Sequence, residues 1–231
     1  MVLLLTPIKM KFLTSISISI ASLLFCITTF ASADQIQGNP QNGEQKISMC
    51  IGCHGIAGYQ ASFPQVYKVP KIAGQGAAYI ASALNAYKKG DRRHPTMHGI
   101  AVSMTDQDIA DVSAYYSTLG KDANFTLPDT PSVPDADVGA LIQKGACTSC
   151  HGSNFSKPID PSYPKLAGQN WDYLFVALKS YKSGVQASWG RNNGIMGGVA
   201  KQFSNDELKL IAKYIGSLDG EIKTVPQSKF R

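Results

Sequence analysis

Two cysteine pairs, each followed directly by a histidine, carry the clearest chemistry of this chain. The sequence Cys-X-X-Cys-His occurs at residues 50–54 and again at residues 147–151. Two thiols on one helical turn can form thioether bonds to the vinyl groups of one porphyrin, and the histidine that follows can bind the iron beneath it. The sequence therefore predicts two covalently attached haem c groups with their iron. The predicted haem-binding residues are Cys50, Cys53, His54, Cys147, Cys150 and His151.

Paired cysteines also occur in zinc sites and in thioredoxin-like redox centres. A zinc ribbon would join its two pairs across a short loop, whereas more than ninety residues separate the pairs here. A thioredoxin-like site would need alternating strands and helices, and no Val/Ile-rich alternating strand is evident in the sequence. Both alternatives fit the sequence less well than haem attachment.

The amino-terminus has the pattern of a secretory signal peptide. Lys9 and Lys11 precede an apolar, Ser-rich run over residues 12–30, and residues 31–33 have the small-X-small pattern of a cleavage site. We therefore expect a signal peptide over residues 1–33 and an exported mature protein.

Removal of the signal would also remove Cys26, and the bulky Phe25 before it disfavours a lipid anchor. An uncleaved anchor, and with it a peripheral association with the membrane, stays open. The four remaining cysteines all lie in the two motifs, so none is left for a structural disulfide.

The charge balance gives no reason to expect nucleic acid as a partner. Loss of two lysines with the signal takes Lys+Arg from 22 to 20 against 16 acidic residues, so the net charge falls from +6 to +4. Four ionised haem propionates could cancel that charge. No basic helix or run of like charges is evident.

An internal repeat organises the rest of the chain. Residues 70–75 (PKIAGQ) match residues 164–169 (PKLAGQ), and tyrosine, leucine and lysine residues follow both copies at equal spacing. Residues 122–137 hold three prolines among small polar residues and are predicted to be an extended linker. We therefore expect a first domain over residues 34–121 and a second over residues 138–231. In each, one haem would supply much of the core.

Both domains are predicted to be helical. Residues 105–108 and 204–207 have the capping-box pattern, and apolar residues follow each box at the spacing of one helical face. A middle helix is predicted over about residues 77–88 and again over about residues 171–182, and a short helix before each haem motif. The predicted fold class is all-α, with two tandem domains that each wrap one haem.

The second axial ligand decides whether a haem carries electrons or binds a substrate. In the second repeat Met196 is the only methionine and His151 the only histidine, so Met196 is predicted to close that site. It lies in the Gly-rich segment 194–198, which we expect to be a flexible loop around the haem. A methionine that fills a gap in the core is the alternative.

Alignment of the two capping boxes places Met97 opposite Met196, so Met97 is the predicted ligand in the first repeat. The same alignment makes Met104 a packing residue before the closing helix. His94 and His98 flank Met97 and are rivals, because imidazole is a strong iron ligand that would lower the reduction potential. We interpret the two histidines as loop residues.

The alignment also pairs Arg92 with Arg191, each five residues before the predicted methionine ligand. A guanidinium can bind a haem propionate through two hydrogen bonds, and partial burial of that pair would raise the reduction potential. The alternative is a solvated charge on a loop.

Together these features resemble the dihaem cytochrome c4 family over nearly all of the mature sequence. The resemblance rests on the two Cys-X-X-Cys-His motifs, the repeated PKxAGQ turn and the methionine segments before capped closing helices. It implies two class I cytochrome c domains, His/Met ligation at both irons and electron transfer in the bacterial periplasm towards respiratory oxidases.

Further structural details follow from this resemblance. The carbonyl groups of Pro70 and Pro164 would each hold the ring of a haem-binding histidine. Gly43 and Gly139 would let the first helix of each domain approach its closing helix. The segment 56–69 is longer than its counterpart in the second repeat, which leaves the surroundings of the first haem open.

The expected function is outer-sphere electron transfer, with both axial ligands retained, so we do not expect an enzyme. The expected partners are redox proteins, namely a membrane respiratory complex, an oxidase or a dehydrogenase, at a small and short-lived interface. Two alternatives stay open: the cytochrome subunit of a periplasmic dehydrogenase complex, and a dihaem peroxidase. The peroxidase would need an open distal site with acid/base groups.

Overall fold

A computed structural model describes residues 36–227, which form ten α-helices and four strands of two residues each. The predicted signal peptide, with Cys26, lies outside the described residues. The first half of the fold comprises α1 (Pro40–Gln45), α2 (Ser48–His54), β1 (Gln60–Ala61), β2 (Tyr67–Lys68), α3 (Ala77–Lys89), β3 (Arg92–Arg93), α4 (Pro95–Val102) and α5 (Asp106–Thr118). The second half comprises α6 (Ala136–Lys144), α7 (Cys147–His151), α8 (Trp171–Ser183), β4 (Gly190–Arg191), α9 (Gly194–Lys201) and α10 (Asn205–Ser217). The predicted all-α class and the order of helices in both repeats are confirmed.

The closing helices α5 and α10 begin at the predicted capping boxes. The Thr105 hydroxyl accepts a hydrogen bond from the Asp108 amide, and the Thr105 amide donates to the Asp108 carboxylate. Ser204 and Glu207 form the same pair of bonds at the start of α10. Both helices then bury one apolar face in the core of their own half. The buried apolar residues are Ile109, Val112, Tyr115 and Tyr116 in α5 and Leu208, Ile211, Ala212 and Ile215 in α10.

The segments that hold the two candidate methionines are helices, and the prediction of loops there is wrong. A side chain caps each helix: Asn193 Oδ1 accepts from the Met196 amide at 2.9 Å, and His94 Nδ1 accepts from the Met97 amide at 3.5 Å. Such caps satisfy amides that the helix start leaves unpaired, and this offsets the low helix propensity of glycine. His94 is therefore the N-cap of α4 and His98 lies within it.

Close helix packing confirms one of the two glycine expectations. A Cβ at Gly43 would lie 2.2 Å from the backbone oxygen of Asp111, so α1 and α5 can meet only because residue 43 is glycine. At Gly139 the nearest atom to such a Cβ would be Pro134 Cγ, at 3.6 Å, which is ordinary contact. The expectation for Gly139 is wrong, because α6 does not approach the backbone of α10 at that residue.

The segment between the halves is fixed to the second half by side chains. Asn154 Nδ2 donates to the carbonyl of Pro128 at 3.1 Å, and the Tyr214 hydroxyl donates to the carbonyl of Ser132 at 2.9 Å. Helix α6 begins at Ala136, within the last two residues of the predicted linker.

The repeated PKxAGQ turns join the two halves through a reciprocal set of hydrogen bonds. Gln75 accepts from the amide of Lys165 and donates to its carbonyl, both at 2.9 Å. Gln169 makes the same two bonds with Lys71, again at 2.9 Å. Both glutamine side chains are buried, so the two copies of the turn face each other in a symmetric contact.

The chain after α10 returns to the first half. Lys223 pairs with Ala73 in an antiparallel β-bridge, and Val225 packs against the core of the first half. The Tyr115 hydroxyl then donates to Gln227 Oε1 at 3.1 Å. These contacts and the reciprocal turns hold the two halves in one arrangement, and with them the two cysteine motifs.

Candidate functional site

A largely apolar cavity of about 370 Å³ lies beside the first cysteine motif. Cys50, Cys53 and His54 line it from α2, and Met97 lines it from α4. His54 Nδ1 lies 2.9 Å from the carbonyl of Pro70, and because that oxygen can only accept, Nδ1 carries the proton. Burial lowers the pKa of His54 and favours the neutral ring, which leaves Nε2 free to bind a metal.

The second cavity, of about 230 Å³, repeats this arrangement. Cys147, Cys150 and His151 line it from α7, and Met196 lines it from α9. His151 Nδ1 lies 3.2 Å from the carbonyl of Pro164, and burial lowers the pKa of this histidine also. The two proline carbonyls therefore hold the histidine rings as expected, which fixes the tautomer and raises the basicity of the other ring nitrogen.

The two histidines beside Met97 have different surroundings. His94 lines the first cavity, but its Nδ1 caps α4 and its ring packs edge-on against Phe63, with 6.1 Å between centroids. His98 is exposed, and its Nδ1 bonds to the carbonyl of Tyr87 at 2.8 Å. Met104 is buried in the core of the first half, where the sequence placed it as a packing residue.

The long segment 56–69 forms a hairpin that adds a wall to the first cavity. Strands β1 and β2 pair in antiparallel register, and Tyr59, Phe63 and Tyr67 line the cavity. Lys179 Nζ of the second half donates to Gln65 Oε1 at 2.7 Å. This bond ties the hairpin to the second half, and the hairpin gives the first cavity a wall of paired strands that the second cavity does not have within the described residues.

Arg92 and Arg191 are paired on β3 and β4, and only 8% and 9% of their surfaces are exposed. Their guanidinium groups donate to tyrosine hydroxyls: Arg92 to Tyr173 at 2.6 Å and to Tyr79 at 3.4 Å, and Arg191 to Tyr173 at 3.2 Å. The interpretation as solvated loop charges is wrong.

These two buried cations lack a carboxylate partner among residues 36–227, and Arg92 Nε is buried without a hydrogen bond. Buried charges are strongly unfavourable unless they are paired. Both guanidiniums lie on the cavity walls, so the carboxylates of bound haem are the anions that fit them.

The residues present therefore fit haem c in each cavity. Each site offers two thiols on one helical turn, an imidazole with a fixed tautomer, a thioether from a facing helix and a buried guanidinium on its wall. The fold and the two sites define a c-type cytochrome with two haem-binding domains.

Comparison with known proteins places the chain in a family. A family model described as cytochrome c matches residues 41–120 and again residues 136–219. Cytochrome c4 of Thiocapsa roseopersicina is 31% identical over 201 residues, which cover 81% of this chain and 96% of that protein. The crystal structure of reduced cytochrome c4 from Pseudomonas stutzeri superposes with a TM-score of 0.56 at 27% identity and covers 79% of this chain and 100% of that one.

A further relative, from Stutzerimonas stutzeri, is named thiosulfate dehydrogenase electron acceptor. It is 28% identical over 212 residues, which cover 86% of this chain and 92% of that protein. The chain belongs to the dihaem cytochrome c4 family. It carries two covalently bound haem c groups and is an electron-transfer protein rather than an enzyme. Among the described residues, no helix has the length and apolar character needed to cross a membrane.

The tyrosine and glutamine residues of the repeat are functional residues that sequence reasoning missed. Gln75 and Gln169 are a matched pair that joins the two halves. Tyr173 joins them through Arg92, whereas its repeat partner Tyr79 bonds to Arg92 within the first half. The sequence did contain a sign of their importance: the same tyrosine and glutamine recur in both copies of the repeat, although neither a turn nor an amphipathic helix requires these residue types.

Proposed function

We propose that the mature protein is a periplasmic electron carrier in which His54 and Met97 bind the first iron and His151 and Met196 the second. The cysteines of each motif would form the thioether bonds. The observation that carries this proposal is that both cavities bring a Cys-X-X-Cys-His helix and a methionine from a facing helix onto the same walls. Met49 and Met104 also line the first cavity, but only Met97 is matched in the repeat by Met196. We also propose removal of residues 1–33 and domains over residues 34–121 and 138–231, joined by the linker 122–137.

Bound haem supplies one-electron redox chemistry at its iron. The protein residues would set the conditions for it. Pro70 and Pro164 hold the imidazoles in one orientation, the thioethers of Met97 and Met196 favour the reduced state, and the apolar walls disfavour additional positive charge. Because the protein would supply both ligands of each iron, neither haem would have a position open to a substrate.

An optical spectrum of the purified, exported protein tests the ligand assignment. We expect the weak near-infrared sulfur-to-iron band of the oxidised protein at the intensity of two His/Met haems, and little carbon monoxide binding after reduction. A band of half that intensity would show that methionine does not bind the iron at one of the two sites. Together with carbon monoxide binding, this result would favour the peroxidase alternative.

The proposed electron donor rests on the relatives of this chain rather than on the geometry of its haem sites. Transfer from a respiratory donor to a terminal oxidase is the function implied by the cytochrome c4 relatives. A dehydrogenase as donor is supported by the relative named thiosulfate dehydrogenase electron acceptor. Mixing the oxidised protein with purified thiosulfate dehydrogenase and thiosulfate separates the two: rapid reduction of both haems supports the dehydrogenase, and reduction no faster than without enzyme contradicts it.

The cellular location has its own test. Osmotic-shock fractionation of cells that express the full chain should release the protein with two haems and without residues 1–33, as intact mass would show. Retention in the membrane fraction, with the amino-terminal segment present, would instead support an uncleaved anchor.

A further inference from the structure

The two cavities share a wall. Tyr79, Arg92, Tyr173 and Leu174 line both of them. Arg92 and Arg191 are directly paired across the two halves on β3 and β4. Charges and dipoles on this wall therefore act on both haem sites.

The hydrogen bonds on this shared wall are unequal, although the repeat is symmetric. Tyr79 and Tyr173 occupy equivalent positions, so each arginine would be expected to contact the tyrosine of its own half. Instead Arg92 donates to Tyr173 of the other half at 2.6 Å, while its bond to Tyr79 is 3.4 Å long. Arg191 also donates to Tyr173, at 3.2 Å. Within residues 36–227, the Tyr173 hydroxyl is thus the one side-chain acceptor common to both guanidiniums.

The remaining contacts of the two guanidiniums are with ring faces. The Arg92 guanidinium carbon lies 4.5 Å from the centroid of the Tyr87 ring, and that of Arg191 lies 4.9 Å from the centroid of Tyr181. Stacking of this kind restricts the plane of a guanidinium but does not fix its rotation within that plane. The hydroxyl of Tyr173 supplies that second restraint for both cations.

From this geometry we propose that Tyr173 is a positioning residue that couples the two haem sites. It holds Arg92 and Arg191 in one arrangement between the cavities, so that a change of charge at one site alters the reduction potential of the other and one electron exchanges across this wall. In the exchange one site is oxidised and the other reduced by the same electron, and no covalent bond or proton is transferred. This inference rests on the proposed function, because both sites must hold redox-active haem.

The matched pair of variants Tyr173→Phe and Tyr79→Phe tests the proposal in the holoprotein. Spectroelectrochemical titration gives the ratio in which the first electron divides between the two haems, and magnetic resonance at half reduction gives the rate of exchange. Tyr173→Phe removes the charge-assisted hydrogen bonds from both Arg92 and Arg191, which should change that ratio about fivefold or more and slow the exchange. Tyr79→Phe should have a clearly smaller effect, because its bond to Arg92 is longer.

Equal effects of the two variants, or no effect of Tyr173→Phe, would overturn the proposal. If Tyr173→Phe does not fold, Arg92→Lys and Arg191→Lys replace it, since lysine keeps the charge but loses the planar fork. Arg92→Lys should then alter both haems, because only Arg92 bonds across the halves, whereas Arg191→Lys should alter chiefly the second. Equal effects here would contradict the inference too.

Failure of the proposed function would look different from failure of this inference. Wild-type protein with fewer than two haems, or without two His/Met sites in its near-infrared spectrum, contradicts the proposed function. Wild-type protein with both sites intact and an unaltered Tyr173→Phe variant contradicts only the coupling role of Tyr173.

Discussion

The side-chain amide of Gln75 bonds to both the amide and the carbonyl of Lys165, ninety positions along the chain, at 2.9 Å each. The backbone N–H and C=O of Lys165 are thus paired by a buried side chain rather than by a neighbouring strand. Its repeat partner Gln169 does the same for Lys71. The contact between the two haem domains therefore depends on two side chains whose position is set by a repeated turn.

Loss of either glutamine should loosen the two halves. Gln75→Ala removes two hydrogen bonds to Lys165 and one from the Gly76 amide. Because backbone groups of Lys165 are then left unpaired, we expect the free energy of unfolding to fall by about 1–3 kcal/mol. Hydrogen exchange should be faster at the Lys165 amide in Gln75→Ala and at the Lys71 amide in Gln169→Ala. The exposed Gln143 of α6 provides a control, and its alanine variant should match wild type. Unchanged exchange at Lys165 would show that other contacts hold the interface.

The proposed methionine ligands predict how the near-infrared band changes in three methionine variants. Met97→Ala and Met196→Ala should each remove half of the near-infrared band and open one iron to carbon monoxide, because each removes the thioether proposed to bind that iron. Met104→Leu is the matched control: Met104 also lines the first cavity but is packed in the core of the first half, so this variant should keep the full band. A full band in Met97→Ala would point to another methionine of the cavity wall, Met49 or Met104, as the ligand. A wild-type band of half intensity that Met97→Ala leaves unchanged would point to His94 instead.

The capping role of His94 predicts which substitutions are tolerated. His94→Asn recreates the cap that Asn193 provides in the second half, so it should retain the band of the first haem. His94→Ala leaves the Met97 amide without its acceptor and should lower the free energy of unfolding by about 0.5–2 kcal/mol. His98→Ala, which removes only the bond of an exposed side chain to the Tyr87 carbonyl, serves as the control and should keep the full band. Loss of the band in His94→Asn would contradict a purely capping role.

A buried carboxylate predicts how the first half responds to acid. Burial alone would raise the pKa of Asp111. Hydrogen bonds from the Asn39 amide, Lys46 and Gln107, each 2.8 Å long, have the opposite and larger effect, so the pKa of this carboxyl lies below its usual value. The carboxylate then contributes stability that is complete above the unfolded-state pKa of about 3.9 and is lost as pH falls through the lower folded value.

Asp111→Asn should therefore lower stability at neutral pH and reduce its loss in acid, as urea unfolding at several pH values would measure. Asp106 lies on the same helix with its side chain 69% exposed, and Asp106→Asn should have little effect. An acid transition that is the same in Asp111→Asn as in wild type would contradict this account.

Features set by local sequence could be predicted from the residues alone. The spacing within Cys50–His54 and its copy determines thiol and imidazole positions on a single helical turn, and the boxes at Thr105 and Ser204 determine where helices begin. These need only residues within one or two helical turns. The all-α class and two haem sites followed from them.

The tertiary structure alone decided the contacts between distant parts of the chain. Arg92 meets Arg191 and Tyr173, and Gln75 meets Lys165, because two separately folded cores are packed against each other, and no local pattern encodes which side chains then become neighbours. The helices around Met97 and Met196 were missed because a side-chain cap, rather than helix propensity, stabilises them. Sequence therefore determined the chemistry of each haem site, and packing determined how the two sites share a wall.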